Sequence, residues 1–211
     1  MPSLDTLLIF TAAALLMNIS PGPSNFYVMS RSVAQGPRGG VLAAMGLALG
    51  SLVHVAAAAL GLSALIHYFP AAYAALKIIG AAYLIYLGIR YLRGTRAGAR
   101  EPLPDVRRAH GRILAESFLV ELLNPKTALF FLAFLPQFVD LSRGSPAPQI
   151  LILGCIVTVS AIPCDLVVAW VSGSAARRLL ASPRFARIQE YLSGSILVGL
   201  GLYVAFSERG D

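Results

Sequence analysis

Two short stretches place polar and helix-breaking residues inside otherwise apolar runs. Asn18-Ile19-Ser20-Pro21-Gly22-Pro23 and Glu121-Leu122-Leu123-Asn124-Pro125-Lys126 each carry an Asn followed closely by Pro. Proline removes a backbone hydrogen bond and clashes with the preceding turn, so both runs are interrupted. Past each break a new helix starts, near Ser24 and Asn25 in one case and with Asn124 as N-cap and Pro125 as first helical residue in the other. The first amides of such a helix are unpaired and carry partial positive charge. Two of these ends together can hold an anionic group such as a carboxylate, and Asn18, Ser20 and Asn124 add neutral groups suited to a zwitterion. The candidate binding residues are Asn18, Ser20, Pro21, Gly22, Pro23, Asn124, Pro125 and Lys126.

Lys126 and Glu121 fall in the second of these runs, and Asp165 and His54 lie within two further apolar runs. A charge at such a depth costs at least about 2.5 kcal/mol unless paired. Lys126 therefore needs a partner: Glu121, Asp165 or the carboxylate of a ligand. Asp165, Glu121 and His54 are the candidates for an ion pair or for proton coupling, although a lone helical His more often simply hydrogen-bonds a neighbour. The three histidines lie at different depths, so neither a metal nor another cofactor is expected. Ser51 and His54 share a helix, but no oxyanion nest accompanies them. Neither GxxxxGK[ST] nor GxGxxG occurs, which argues against direct use of ATP, and no enzymatic activity is expected. Cys155 and Cys164, nine residues apart, point about 180° away from each other on a helix. A membrane thiol redox carrier would need a cysteine near each break, and there is none. A passive channel or metal-ion exporter would show several carboxylates or histidines together, where this chain offers Asp165 and Glu121.

The elements that position these residues follow from composition. Of 211 residues 57% are hydrophobic and 13% charged, with a mean hydropathy of +0.72. Soluble domains carry about 25% charged residues, so the chain reads as one all-α integral membrane domain, residues 1–211. Six apolar runs are long enough to cross: Leu4–Val33 with a break, Gly40–Ile66, Ala71–Leu92, Ile113–Phe138, Gln149–Gly173 and Tyr191–Phe206. The segment Met1–Asp5 has no basic region ahead of its apolar run, so the first helix is expected to stay. The net charge of +7 reflects topology and does not call for a nucleic-acid partner. Arg31 and Arg38, the basic segment around residues 93–112, and Arg177, Arg178, Arg184 and Arg187 all fall on one side, which puts both termini outside. Lys77 lies near the outer surface and can snorkel.

The chain divides into halves, about residues 1–92 and 113–211, joined by a cytoplasmic linker, about 93–112. Each half has three crossings and a first span broken at Pro, so a duplicated half enters the membrane inverted, a common transporter arrangement. From Arg112 to Asn124 is about 18 Å of helix, which puts that break near the middle of a hydrocarbon layer about 30 Å thick. Gly46 and Gly50 form a GxxxG pattern that suits close helix packing within the chain, and homo-oligomerisation is left open.

The stretch NISPGPSNFYVMSRSVAQGPRGG, the following GLALGSLVH, LKIIGAAYLIYLGIRYLRG and especially LLNPKTALFFLAFLPQFVD together resemble the LysE/RhtB amino acid exporters, and the likeness runs nearly end to end. It implies a multi-pass carrier of the bacterial inner membrane that expels amino acids or close derivatives such as homoserine, threonine, lysine or arginine. The drive would be the proton gradient or the membrane potential, and the partners would be the amino acid and membrane lipids. Two positions depart from the pattern: Ser51 stands where an acidic residue is frequent, and Glu121 where the residue is usually neutral. Glu121 is thus expected to take over part of the missing negative charge, as partner of Lys126 or as a coupling group.

Overall fold

The computed structural model describes residues 1–20, 22–93, 110–172 and 182–206, and every regular element among them is helical. In chain order these are α1 (Leu4–Ile19), α2 (Pro23–Gln35), α3 (Pro37–Ala57), α4 (Ser63–Tyr68), α5 (Pro70–Leu92), α6 (His110–Leu122), α7 (Pro125–Leu129), α8 (Pro146–Val171) and α9 (Pro183–Phe206). Pro23, Pro37, Pro70, Pro125 and Pro146 each open a helix, where the missing N–H would be unpaired in any case. One residue, Gly36 at φ 74°, turns the chain from α2 into α3, a conformation that a Cβ disfavours. Five-residue π-helical turns, Ala58–Leu62 and Phe130–Phe134, continue α3 and α7. Neither leaves a signal in residue periodicity.

Among the described residues, three helical stretches are long and apolar enough to cross a membrane: Pro37–Leu62, Ala71–Leu92 and Pro146–Val171. Two bent pairs make up to five: α1 with α2, at 51°, and His110–Leu122 with Pro125–Phe138, at 43°. Of the six expected runs, the last corresponds to Glu190–Phe206, a shorter apolar helix. At 1.5 Å per residue it spans about 25 Å, less than the 30 Å core. Pro21, most of the linker (residues 94–109), Arg177 and Arg178 lie outside the described residues.

Arg31 falls within the run Leu4–Val33; α2 carries it at 3% exposure and continues to Gln35.

The bundle is held by close helix pairs: α3 against α6 and α8, α5 against α9, and α1 against α8. Between lipid-immersed helices there is little hydrophobic drive, so tight packing of small residues matters more. A Cβ on Gly50 would lie 2.7 Å from the Phe118 carbonyl oxygen and 2.8 Å from Glu121 Cβ. Gly46 likewise lies against α6, so the GxxxG pattern serves packing within the chain. The largest apolar cluster gathers Phe10 of α1 with Phe130, Phe131, Phe134 and Phe138.

Candidate functional site

Both breaks are open backbone between two helices. α1 stops at Ile19, Ser20 and Gly22 are extended, and α2 begins at Pro23 with no side-chain cap on its first amides. α6 stops at Leu122, and Asn124 caps α7 by accepting the Lys126 N–H through Oδ1 at 3.0 Å. The two breaks touch. Ser24 Oγ, in the first turn of α2, donates to Glu121 Oε2 and accepts from Asn124 Nδ2 at 2.8 Å.

Lys126 is 5% exposed, and its Nζ donates to the Ser20 carbonyl at 2.5 Å. The cation thus sits at the carbonyl end of α1, the negative end of that helix's dipole. This corrects the expected pairing, since among the described residues neither Glu121 nor Asp165 comes within ion-pairing distance of it. Spacing along the chain could not foresee that partner, because α7 starts afresh after the break and its rotation is set by the Asn124 cap. Gly22 makes room for the lysine: a Cβ there would lie 3.3 Å from Nζ.

Glu121 is 7% exposed and fully engaged. Besides Ser24, its Oε2 accepts from Asn124 Nδ2 at 3.4 Å, and its Oε1 accepts from Thr127 Oγ1 at 2.8 Å. The carboxylate therefore ties α2, α6 and α7 together across both breaks. Its backbone carbonyl lacks the usual amide donor four residues on, because that residue is Pro125. The Asn124 N–H, at 3.0 Å, and His54 Nε2, at 3.1 Å, donate to it instead. His54 also stacks on Phe131, with ring centroids 5.8 Å apart. The structure thus places His54 against the broken backbone, outside the pocket lining.

Asp165, 7% exposed, faces a pocket between the breaks. Among the described residues, no hydrogen bond or ion pair reaches its carboxylate. Ser24, Asn25, Glu121, Asn124 and Thr127 line the polar side of the pocket, and Met17, Leu47, Val157 and Ile162 its apolar side. Asn18 fixes the wall formed by α8, donating to the Val157 carbonyl at 3.2 Å and to Ser160 Oγ at 3.0 Å. Ser51 bonds Thr158 rather than His54, at 2.8 Å. Ser20 is buried, and its hydroxyl has no partner among the described residues. Thr127 and Thr158 were not anticipated: each is an isolated hydroxyl in an apolar run, and only the helix rotation brings it inward.

The pocket volume is ≈ 40 Å³, room for about three waters at 10–15 Å³ each. Apart from the pocket lining, Phe10, Phe130, Phe134 and Phe138 form a cluster whose rings stack, tilt or meet edge-on at centroid distances of 4.7–6.4 Å. Farther along α2 and earlier in α6, Arg31 Nη2 pairs with Glu116 Oε2 at 3.3 Å. Tyr27 donates its hydroxyl to the same oxygen at 2.9 Å. Among the described residues no three His, Cys, Asp or Glu side chains come together as metal ligands, and Cys155 and Cys164 are free thiols.

Membrane-length helices, two of them broken by proline where they enclose a polar pocket, define a multi-pass membrane protein of the transporter class. The chain belongs to the LysE type translocator family, which matches residues 15–208, and it is accordingly a transmembrane efflux transporter. It is 30% identical to YrhP, an uncharacterized membrane protein of Bacillus subtilis (strain 168), over 97% of this chain and 100% of that one. An uncharacterized membrane protein of Vibrio cholerae is 32% identical over 94% of this chain and 95% of its own. The leucine efflux protein of Salmonella typhimurium is 28% identical over 95% and 92%. No solved structure matches the chain.

Proposed function

We propose that the chain exports amino acids or close derivatives across the bacterial inner membrane by alternating access, as a secondary carrier driven by the proton gradient or the membrane potential. The pocket between the two breaks carries this reading. Uncapped amides at the start of α2 suit the cargo's carboxylate, and Asp165, a carboxylate with no hydrogen-bonded partner among the described residues, suits its ammonium. With Glu121 held by three donors, Asp165 is the better candidate for coupling to protons. The Salmonella relative's name and the apolar side of the pocket favour a neutral aliphatic cargo such as leucine. At ≈ 40 Å³ the pocket is too small for an amino acid, so the elements around it must part to load and unload.

Helix pairing supports the inverted-repeat reading. In two inverted halves α1 corresponds to α6 and α8 to α3, and the α1–α8 pair has its counterpart in α6–α3, while α5 and α9 pair with each other. In this reading the molecule has six spans, periplasmic termini and a cytoplasmic linker, and homo-oligomerisation is not required for the site.

The test is efflux of labelled leucine, threonine, homoserine, lysine and arginine from proteoliposomes under imposed pH and voltage gradients. At least one should leave faster than from protein-free liposomes and respond to a gradient. Asp165→Asn should slow that flux at least tenfold while the protein still purifies as a folded species. Flux at the protein-free level for every amino acid would contradict the proposal.

A further inference from the structure

Arg31 is more deeply buried than a topology-setting arginine needs to be, and only part of its guanidinium is used. Nη2 reaches Glu116 at 3.3 Å, and the guanidinium lies 5.0 Å from the centre of the Tyr27 ring. The N–H groups on Nε and Nη1 are buried and find no acceptor among the described residues. A guanidinium carries five donors, and buried donors left unmet are costly. Glu116, by contrast, is well supplied: Tyr27 and Arg31 share Oε2, and Arg112 Nε reaches Oε1 at 3.0 Å. The local imbalance is an excess of donors on Arg31, and the missing group is an anionic acceptor.

Position gives this imbalance a use. Arg31 lies seven residues past Ser24 on α2, about 10 Å along the helix, and Glu116 lies five residues before Glu121 on α6. The pair joins these two helices between the pocket and the end at which the linker enters α6. The pair therefore stands beside a route from the pocket to that end along α2 and α6. Arg112 is 67% exposed in its pair with Glu116, and an exposed pair of this kind is weak, so its place on Glu116 is easily taken.

We infer that Arg31 and Glu116 form a second, transit subsite for the cargo. Arg31 takes the α-carboxylate on its unmet N–H groups, and Glu116 takes the ammonium in place of Arg112. The inference rests on the amino acid reading of the pocket. It adds a station on the linker side of the pocket.

The asymmetry makes the subsite testable. Leucine KM is measured on inside-out and right-side-out vesicles containing the full chain, so that each face is exposed in turn. In Arg31→Gln, KM from the linker face should rise at least tenfold, while KM from the opposite face stays within twofold. Arg31→Lys keeps the charge but loses the planar fork, and it should raise the linker-face KM about threefold. It also serves as the reading if Arg31→Gln fails to fold. A linker-face KM within twofold of the native value in either folded variant, or an equal loss of rate from both faces with KM unchanged, would reduce the pair to a structural tie and overturn the subsite. Absence of leucine flux in the native protein would instead remove the amino acid reading beneath it.

Discussion

Glu121 holds the two breaks together through three donors, and replacing it by Gln or by Ala separates the charge from the contacts. In Glu121→Gln the amide oxygen can occupy the place of Oε2 and keep Ser24 and Asn124, while the new NH₂ faces Thr127, whose hydroxyl can turn to accept. The contacts persist and charge assistance is lost. A hydrogen bond to a charged group contributes about 1.5–3 kcal/mol against about 0.5–1.5 for a neutral one. With the 3.4 Å Asn124 contact counting little, the expected destabilisation is about 2 kcal/mol. In Glu121→Ala the acceptor disappears altogether. Asn124 keeps Ser24 at 2.8 Å, but the Ser24 and Thr127 hydroxyls lose their acceptor, at about 1–3 kcal/mol each, and the side chain leaves a void. The expected cost is about 4–6 kcal/mol. Equilibrium unfolding in mixed micelles measures both, and proteoliposome efflux across a range of external pH measures function. The Gln variant should fold and transport more slowly with an unaltered pH profile, and the Ala variant should lose both stability and transport. An Ala variant within about 0.5 kcal/mol of native would refute the tie. A pH profile altered in the Gln variant would return Glu121 to the coupling path.

Other substitutions test the surroundings. Gly50→Ala places a Cβ 2.7 Å from the Phe118 carbonyl oxygen where ordinary contact begins at 3.4 Å. α3 and α6 must then part by about 0.7 Å, and unfolding should show a loss of about 1–3 kcal/mol, against less than about 0.5 for Gly61→Ala, where nothing lies within 4 Å. Phe134→Ala opens the ring cluster against Phe10, Phe130 and Phe138; it should cost about 3–5 kcal/mol and raise leucine leak measured without a gradient. Lys126→Met leaves the Ser20 carbonyl unmet in the bundle, so it should be less stable by about 1–3 kcal/mol than Lys126→Gln, which retains a donor.

Helical content and the two interruptions were legible because a bilayer allows so few backbone solutions. Apolar runs of spanning length must be helices, and Pro21-Gly22-Pro23 and Asn124-Pro125, each beside an Asn, mark where they are interrupted, whereas Pro163 alone leaves α8 continuous. Contacts across the interruptions were not legible. After a break the helix restarts with a rotation set by local backbone, so no spacing rule reaches from Glu121 to Thr127 or from Lys126 to Ser20. Arg31 shows the same limit: it lies within the first run, but only the fold brings Glu116 and Tyr27 to meet its charge inside the bundle. His54 shows the ambiguity of a single polar residue: its place in an apolar run fitted proton handling, and its partner is the carbonyl that Pro125 leaves without an amide donor.

The meeting of the two breaks around the pocket can be tested most directly by a reversible cross-link. With Cys155 and Cys164 changed to Ser, Ser24→Cys and Asn124→Cys place thiols at the two positions whose side chains bond at 2.8 Å, within reach of a short bifunctional methanethiosulfonate. The reagent should bridge them and arrest leucine efflux, and reduction of its disulfides should restore it, because the pocket cannot admit cargo unless α2 and α7 part. Failure of the thiols to join, or full efflux from the joined protein, would contradict the arrangement.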